Sequence, residues 1–118
     1  MINVMLPWPP SANRYWRNFK GRTIVSSEAK SFKDLVKALA YTWRAKPIYG
    51  RVKVVIYAFP PDKRVRDLDN LLKITIDAIK DAGLFPDDSQ IDEISISRHE
   101  VTKPGYLNLF VSEIEVKA

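Results

Sequence analysis

Apolar and polar positions alternate, recur at helical spacing, or break at proline along this chain, and those three patterns divide it into elements. Residues 2–6 alternate weakly and predict a short strand. Pro7-Trp8-Pro9-Pro10-Ser11 then predicts a rigid extended connector, because three prolines fix φ and lack N–H donors. Residues 14–25 read as a hairpin turning near Lys20-Gly21, with Thr23-Ile24-Val25 in its second strand. Ser26 or Ser27 can cap a helix that carries Glu28 in its first turn. Phe32, Leu35, Val36, Leu39, Ala40 and Trp43 follow at i, i+3, i+4, i+7, i+8 and i+11, an amphipathic helix with Lys30, Lys33 and Lys37 off the stripe. Lys46-Pro47 ends this helical region.

Val52, Val54, Ile56 and Ala58 alternate with Lys53, Val55, Tyr57 and Phe59, which predicts a strand with one apolar face and a second partly covered one. Pro60-Pro61 stops it, and a basic loop follows through Arg66. A second helix is predicted over 68–82, with Leu68, Leu71, Leu72, Ile76 and Ile79 as its buried stripe and Gly83 at its C-terminal cap. After Pro86-Asp87-Asp88-Ser89, strands over 91–101 and 106–116 are expected to form a hairpin about Thr102-Lys103-Pro104-Gly105. The order predicts one α+β domain over 1–118, with two main helices packed on a mixed sheet with hairpins. No repeat, low-complexity tract or linker interrupts it.

Composition narrows the chemistry. The 118 residues contain no Cys and one His, which excludes disulfide scaffolds, thiolate zinc sites, Cys nucleophiles and any two-histidine site within one chain. No apolar run approaches the roughly 20 residues that span a bilayer, so a soluble cytoplasmic protein is expected, with no membrane partner. Charge is distributed unevenly. Residues 1–66 hold 14 Lys/Arg and 3 Asp/Glu, whereas residues 67–118 hold 5 Lys/Arg and 11 Asp/Glu. Such a division fits either internal pairing of the two halves or a polyanion-binding surface around an acidic metal pocket.

The positions of the acids give the second reading its content. Asp67 and Asp69 stand where the basic loop enters the second helix, and Asp88, beside Asp87, stands where that helix returns to a strand. Helix caps and solvated turns account for single aspartates at such places. Clustered carboxylates instead suit Mg²⁺, a hard cation that takes oxygen ligands and keeps several waters. A metal so held can polarise a phosphodiester and activate water without any His or Cys. Lys73 lies one helical turn after Asp69, and Asp77 one turn further. They form either i,i+4 ion pairs or an ammonium placed beside developing phosphate charge. Arg66, Arg64 and Lys63 can grip phosphates, as can Arg14, Arg17 and Arg22 in the first hairpin, where Tyr15, Trp16 and Phe19 intervene as core or stacking residues. His99 has no evident metal partner and reads as an ordinary strand residue.

Taken together, Leu6-Pro7-Trp8-Pro9-Pro10-Ser11, Asn13-Arg14-Tyr15, Gly21-Arg22-Thr23, Val25-Ser26, Arg66-Asp67-Leu68-Asp69-Asn70-Leu71 with Lys73, Asp77-Ala78, Ala82-Gly83, Asp87-Asp88-Ser89-Gln90 and Val101-Thr102-Lys103 resemble the RusA-type Holliday junction resolvases over nearly the whole chain. The resemblance implies a small homodimeric crossover junction endodeoxyribonuclease that acts in DNA recombination and repair. It implies Mg²⁺ as cofactor, with Mn²⁺ as a substitute and no nucleotide cofactor, and four-way DNA junctions as substrate, nicked symmetrically on two opposing strands. By the same resemblance Asp67, Asp69 and Asp88 are the metal-binding catalytic acids and Lys73 the catalytic lysine, with Arg66 at a basic position of the motif. Two other readings stand beside it: a non-catalytic module binding branched nucleic acid, and an RNA-processing nuclease with the same metal chemistry.

Overall fold

A computed structural model of the chain describes residues 1–11 and 16–115, without the side chains of Trp16, Arg17, Phe19 and Val25. Its frame is a four-stranded mixed sheet. In chain order the strands are β1 (Ile2–Pro7), β4 (Val52–Phe59), β5 (Ile91–Arg98) and β6 (Tyr106–Glu113), and in space they run β1-β6-β4-β5. A separate hairpin joins β2 (Trp16–Phe19) to β3 (Arg22–Val25). Lys20 and Gly21 turn it, both with positive φ (50° and 76°), the backbone of a tight two-residue hairpin turn.

Helix α1 (Ser27–Trp43) starts at Ser26, whose hydroxyl accepts from the Ala29 amide at 3.1 Å. It ends at Arg44, which takes the left-handed conformation (φ 51°), ahead of Lys46-Pro47. Ala29, Phe32 and Val36 are buried against the core, and Trp43 packs partly against it. Leu35 departs from the predicted stripe and is 47% exposed. The inward arc of this helix is narrower than the apolar spacing suggested, being taken up by Ala29 and its neighbours one and two turns on.

The predicted second helix divides into a 3-10 turn (Leu68–Leu71) and α2 (Leu72–Asp81). Ile74, Thr75, Ile76, Ala78 and Ile79 are all buried, more of the circumference than a single stripe, while Leu68 and Leu72 only flank the core. Helix α2 is the crossover between the parallel strands β4 and β5 and also packs on α1, so it is covered on two sides. Gly83 closes it with φ 93°, and the Leu84 amide donates back to Ile79 O.

The expected hairpin of the last two strands does not form. β5 pairs parallel with β4, β6 pairs antiparallel with the other edge of β4 and with β1, and the chain crosses the end of β4 to get from one to the other. His99 N donates to Ala58 O and Thr102 N to Pro60 O along that crossing. The physical reason lies in β4. Val52, Val54, Ile56 and Ala58 are fully buried, and Val55, Tyr57 and Phe59 are partly covered, so β4 takes a central place while the polar Ile91-Asp92-Glu93 strand takes an edge. The pairings are also shorter than expected, ending at Arg98 and Glu113. Val116 lies outside the described residues.

The core is one cluster between the helices and one face of the sheet, with Phe85, Leu6, Ile56, Leu107 and Leu109 among its largest fully buried side chains. The opposite face carries an aromatic row: Phe59 stacks on Tyr106 (ring centroids 4.4 Å) and on His99 (5.1 Å), and Tyr57 meets Phe110 edge-on (5.3 Å). His99 lies one residue past the end of β5 and not within it; it is exposed, its ring rests against this row, and its Nε2 lies 2.9 Å from Ser97 Oγ.

Candidate active site

The basic loop after β4 is tied into a fixed shape by its own residues. Asp62 Oδ1 accepts from the Arg64 amide at 2.9 Å and from Arg66 Nη1 at 2.7 Å. The Arg66 guanidinium also lies over the Trp8 indole, 5.6 Å from the ring centroid. From the end of β5, Arg98 Nη2 donates to the Arg66 carbonyl. Three segments distant in sequence thus meet immediately before Asp67. The hydrogen bond from Arg66 and that from the Arg64 amide hold the Asp62 carboxyl at about 2, below its ordinary 3.8. A cavity of about 220 Å³ opens here, lined by Trp8, Asp62, Arg66, Asp67, Arg98 and His99 among others.

Asp67 occupies the N-cap position of the 3-10 turn, yet its side chain makes no capping hydrogen bond. Its carboxylate is therefore not accounted for by the usual structural duty of an aspartate at such a position. Asp69 lies in the first turn, and both residues are exposed. Lys73 follows on α2, its Nζ 3.2 Å from Asp77 Oδ2. Asp77 also receives Lys33 from α1 at 3.9 Å, and Lys33 reaches Asp81 at 3.5 Å. The lysine of the motif is thus steered by Asp77, which simultaneously helps to dock the two helices.

Asp88 begins a second 3-10 turn (Asp88–Gln90) at the opposite end of α2. Asp87 is its cap: Asp87 Oδ1 accepts from the Ser89 amide at 3.0 Å, and Gln90 Oε1 accepts from the Asp87 amide at 3.0 Å. The Ser89 amide is the main reason the Asp87 carboxyl lies below its ordinary value. Gln90 Nε2 donates to the carbonyls of Ile48 (3.0 Å) and Gly50 (2.9 Å), and Arg51 Nη2 donates to Ser89 O at 2.8 Å. Arg51 also pairs with Asp92, which lowers the Asp92 carboxyl and raises the guanidinium. Asp88 is exposed on this braced turn, in a surface cleft with Ile76, Ile91, Asp92, Glu93 and Ile94.

The three acids do not meet within one chain. Asp67 and Asp69 stand before α2 and Asp88 beyond it, and ten helical residues span about 15 Å. Among the described residues no three acidic or histidine side chains lie close enough together to hold a metal ion. The pair Asp67 and Asp69 does have the right donor chemistry for a hard cation that retains waters. Of the predicted DNA contacts, Lys63, Arg64 and Arg22 are exposed, whereas Arg66 is engaged by Asp62 and Trp8. Arg14 lies outside the described residues, and Arg17 is placed only by its backbone in β2. Sequence reasoning passed over Asp62, Arg98, Arg51 and Gln90. Asp62 carried a local sign, four residues before Arg66 and directly after Pro60-Pro61, and Gln90 another, three residues after Asp87 in the spacing of a capping box.

Comparison with known proteins places this arrangement. Residues 7–109 match the model of the family described as Endodeoxyribonuclease RusA. The chain is 41% identical over 117 residues to the crossover junction endodeoxyribonuclease RusA of Escherichia coli K12 and 40% identical to that of Shigella sonnei. It is 39% identical over 113 residues to that of enterobacteria phage 82. Each comparison covers 95% of this chain and 94% of the relative. No helix among the described residues is long and apolar enough to cross a membrane. With a family match over most of its length and full-length relatives at this identity, the chain belongs to the RusA family of endodeoxyribonucleases.

Proposed function

We propose that this protein is an Mg²⁺-dependent endonuclease that binds four-way DNA junctions as a two-fold homodimer and nicks two opposing strands, in DNA recombination and repair. The observation that carries the reading is the pair of exposed aspartates, Asp67 and Asp69, at the head of α2, where the Asp67 carboxylate is not used as a cap and a basic loop leads in. The family's relatives carry the crossover junction endodeoxyribonuclease name.

In this reading Asp67 and Asp69 of one protomer hold the cation together with Asp88 of the partner subunit. Two-fold symmetry supports that assignment. A dyad that reverses α2 against its copy brings the head of one helix to the tail of the other, and it does so twice. Asp88 rather than Asp87 is the ligand, because Asp87 is already committed as a cap. A bound Mg²⁺, or Mn²⁺ in its place, would neutralise charge on the scissile phosphate and acidify a water. Lys73 supplies a further positive charge there, and the exposed Lys63, Arg64 and Arg22, with Arg14 and Arg17, hold flanking phosphates. Arg66 acts at the rim, held by Asp62 and Trp8.

The test mixes two inactive variants. Asp69→Asn and Asp88→Asn are each expected to abolish cleavage of a labelled four-way junction in Mg²⁺. Co-refolded together, they form a heterodimer in which one site carries both substitutions and the other carries neither. Recovery of single-strand nicking is the expected result. Heterodimers that stay inactive would place all three acids in one chain's site. Cleavage by either variant alone would return the acids to structural roles.

A further inference from the structure

We propose that Gln90 is the positioning residue of Asp88: its carboxamide, reaching from the Asp87 amide to the carbonyls of Ile48 and Gly50, sets where the Asp88 carboxylate stands. The inference rests on the reading of Asp88 as a ligand of the cation, and it names what holds that ligand in place.

Asp88 is exposed on a 3-10 turn of three residues, too short to be rigid by its own backbone bonds. Its neighbours supply the rigidity. Asp87 and Gln90 close a capping box around it. Gln90 Oε1 accepts from the Asp87 amide at 3.0 Å, the Gln90 amide donates to Asp87 O at 3.1 Å, and Asp87 Oδ1 accepts from the Ser89 amide at 3.0 Å. Asp88 and Ser89 are the residues enclosed by that ring. The ring alone would leave the turn free to swing as a unit ahead of β5. Gln90 removes this freedom from the other end of its side chain, where Nε2 donates to Ile48 O at 3.0 Å and to Gly50 O at 2.9 Å. The segment that offers these carbonyls is itself fixed. The Ile48 amide donates to the carbonyl of the buried Leu84, and the Ile114 amide donates to Arg51 O, each at 2.8 Å.

The residue type agrees with this duty. A glutamate closes a capping box as well as a glutamine does. It has no N–H, however, and would set a negative charge against two carbonyl oxygens. Glutamine meets all three partners from one half-buried side chain, where an unmet partner is costly. The other tie to this turn, Arg51 Nη2 to Ser89 O, comes from a side chain 45% exposed that is shared with Asp92, and it constrains less. A ligand held in advance loses little freedom when a cation binds, and groups that orient a ligand from outside are worth about 10–100-fold in metal affinity.

Mn²⁺ alone is the probe, titrated into the full-length protein and followed by the electron paramagnetic resonance signal of the free ion, so that no turnover is involved. Gln90→Ala and Gln90→Met, the second of which keeps the side chain's length, are each expected to weaken Mn²⁺ binding on the order of tenfold. Asp88→Asn is expected to weaken it too. On that background neither Gln90 variant adds a further loss, because the group that Gln90 positions is gone. A merely structural role would move both backgrounds alike. Unchanged affinity in the single variants, or an equal loss on both backgrounds, overturns the proposal. So does loss of the fold in both Gln90 variants, read by circular dichroism. Wild type that binds no Mn²⁺, or Asp88→Asn that binds it as wild type does, overturns the metal reading of Asp88 first and the proposal with it.

Discussion

Asp62 and Arg66 meet 2.7 Å apart within one short loop, and the second of them directly precedes Asp67. The pair fixes the chain at the entrance to the candidate site, with Trp8 beneath the guanidinium and Arg98 on the Arg66 carbonyl. Asp62→Asn removes the charge that orients Arg66 while keeping the side chain's shape. Junction cleavage is expected to fall on the order of tenfold, as for partners that orient a metal site from outside it. Junction binding without metal changes much less. A filter-binding titration beside the cleavage assay checks the split. Equal losses in both would mark Arg66 as a direct phosphate contact whose grip depends on Asp62.

The same carboxylate gives a pH dependence. Its folded value of about 2 lies below the ordinary 3.8, so the folded state favours the ionised form. That contribution to stability is fully present above 3.8 and is lost as pH falls toward 2. Thermal melts of wild type and Asp62→Asn are expected to differ above 3.8 and to converge near 2. A difference that persists unchanged to the lower pH would show that the carboxylate's charge is not what stabilises the loop.

Asp69→Asn tests the metal reading most directly. The exposed position predicts little change in melting temperature. Cleavage is expected to vanish, while binding of the junction without metal persists or tightens, because a negative charge facing phosphate is gone. Residual Mg²⁺-dependent nicking would remove Asp69 from the cation's ligands.

Lys73 separates a structural from a chemical role. Its pair with Asp77 is an i,i+4 contact on a side chain 60% exposed, worth a few tenths of a kcal/mol at most. Lys73→Ala should therefore leave the melting curve nearly in place. Cleavage is expected to fall by about a hundredfold, in the range seen when one charge-stabilising group is removed. Lys73→Arg should recover little of it, since the planar fork differs from an ammonium in reach. Full rescue by arginine would indicate a plain ion pair.

Thr75 is fully buried on α2, and its hydroxyl has no hydrogen-bond partner among the described residues. Thr75→Val removes that hydroxyl at nearly constant volume. A gain of about 0.5–1.5 kcal/mol in urea unfolding is expected, with cleavage unchanged. A loss of stability would reveal an internal water on the hydroxyl.

What the sequence disclosed follows the range of each signal. The helix cap, offered by Ser26 or Ser27 and taken by Ser26, the Lys20-Gly21 turn and the stop at Gly83 are local, and the structure has all three. Strand partnership is not local. Two strands joined by Thr102–Gly105 looked like a hairpin, yet both turned to β4, the strand able to bury apolar residues on one face and aromatics on the other. The candidate site divides in the same way. Asp67, Asp69 and Lys73 share one motif and one end of one helix. Asp88 stands beyond α2, as the helix predicted over 68–82 required, but the parallel pairing of the strands on either side of that helix depends on long-range partners. Arg98 and Arg51, which brace the two halves, come from 32 and 38 residues away in sequence.

The spatial order of the strands also bears on synthesis. β6 lies between β1 and β4, so the middle of the sheet is made last. A growing chain that stops short of Tyr106 has β1 with no strand to pair with and β4 open along one side. On the ribosome the sheet must therefore wait for its central piece, and such non-local closure is slow. A nascent product that lacks Tyr106–Glu113 would carry Asp67, Asp69 and Asp88 on a sheet still open between β1 and β4.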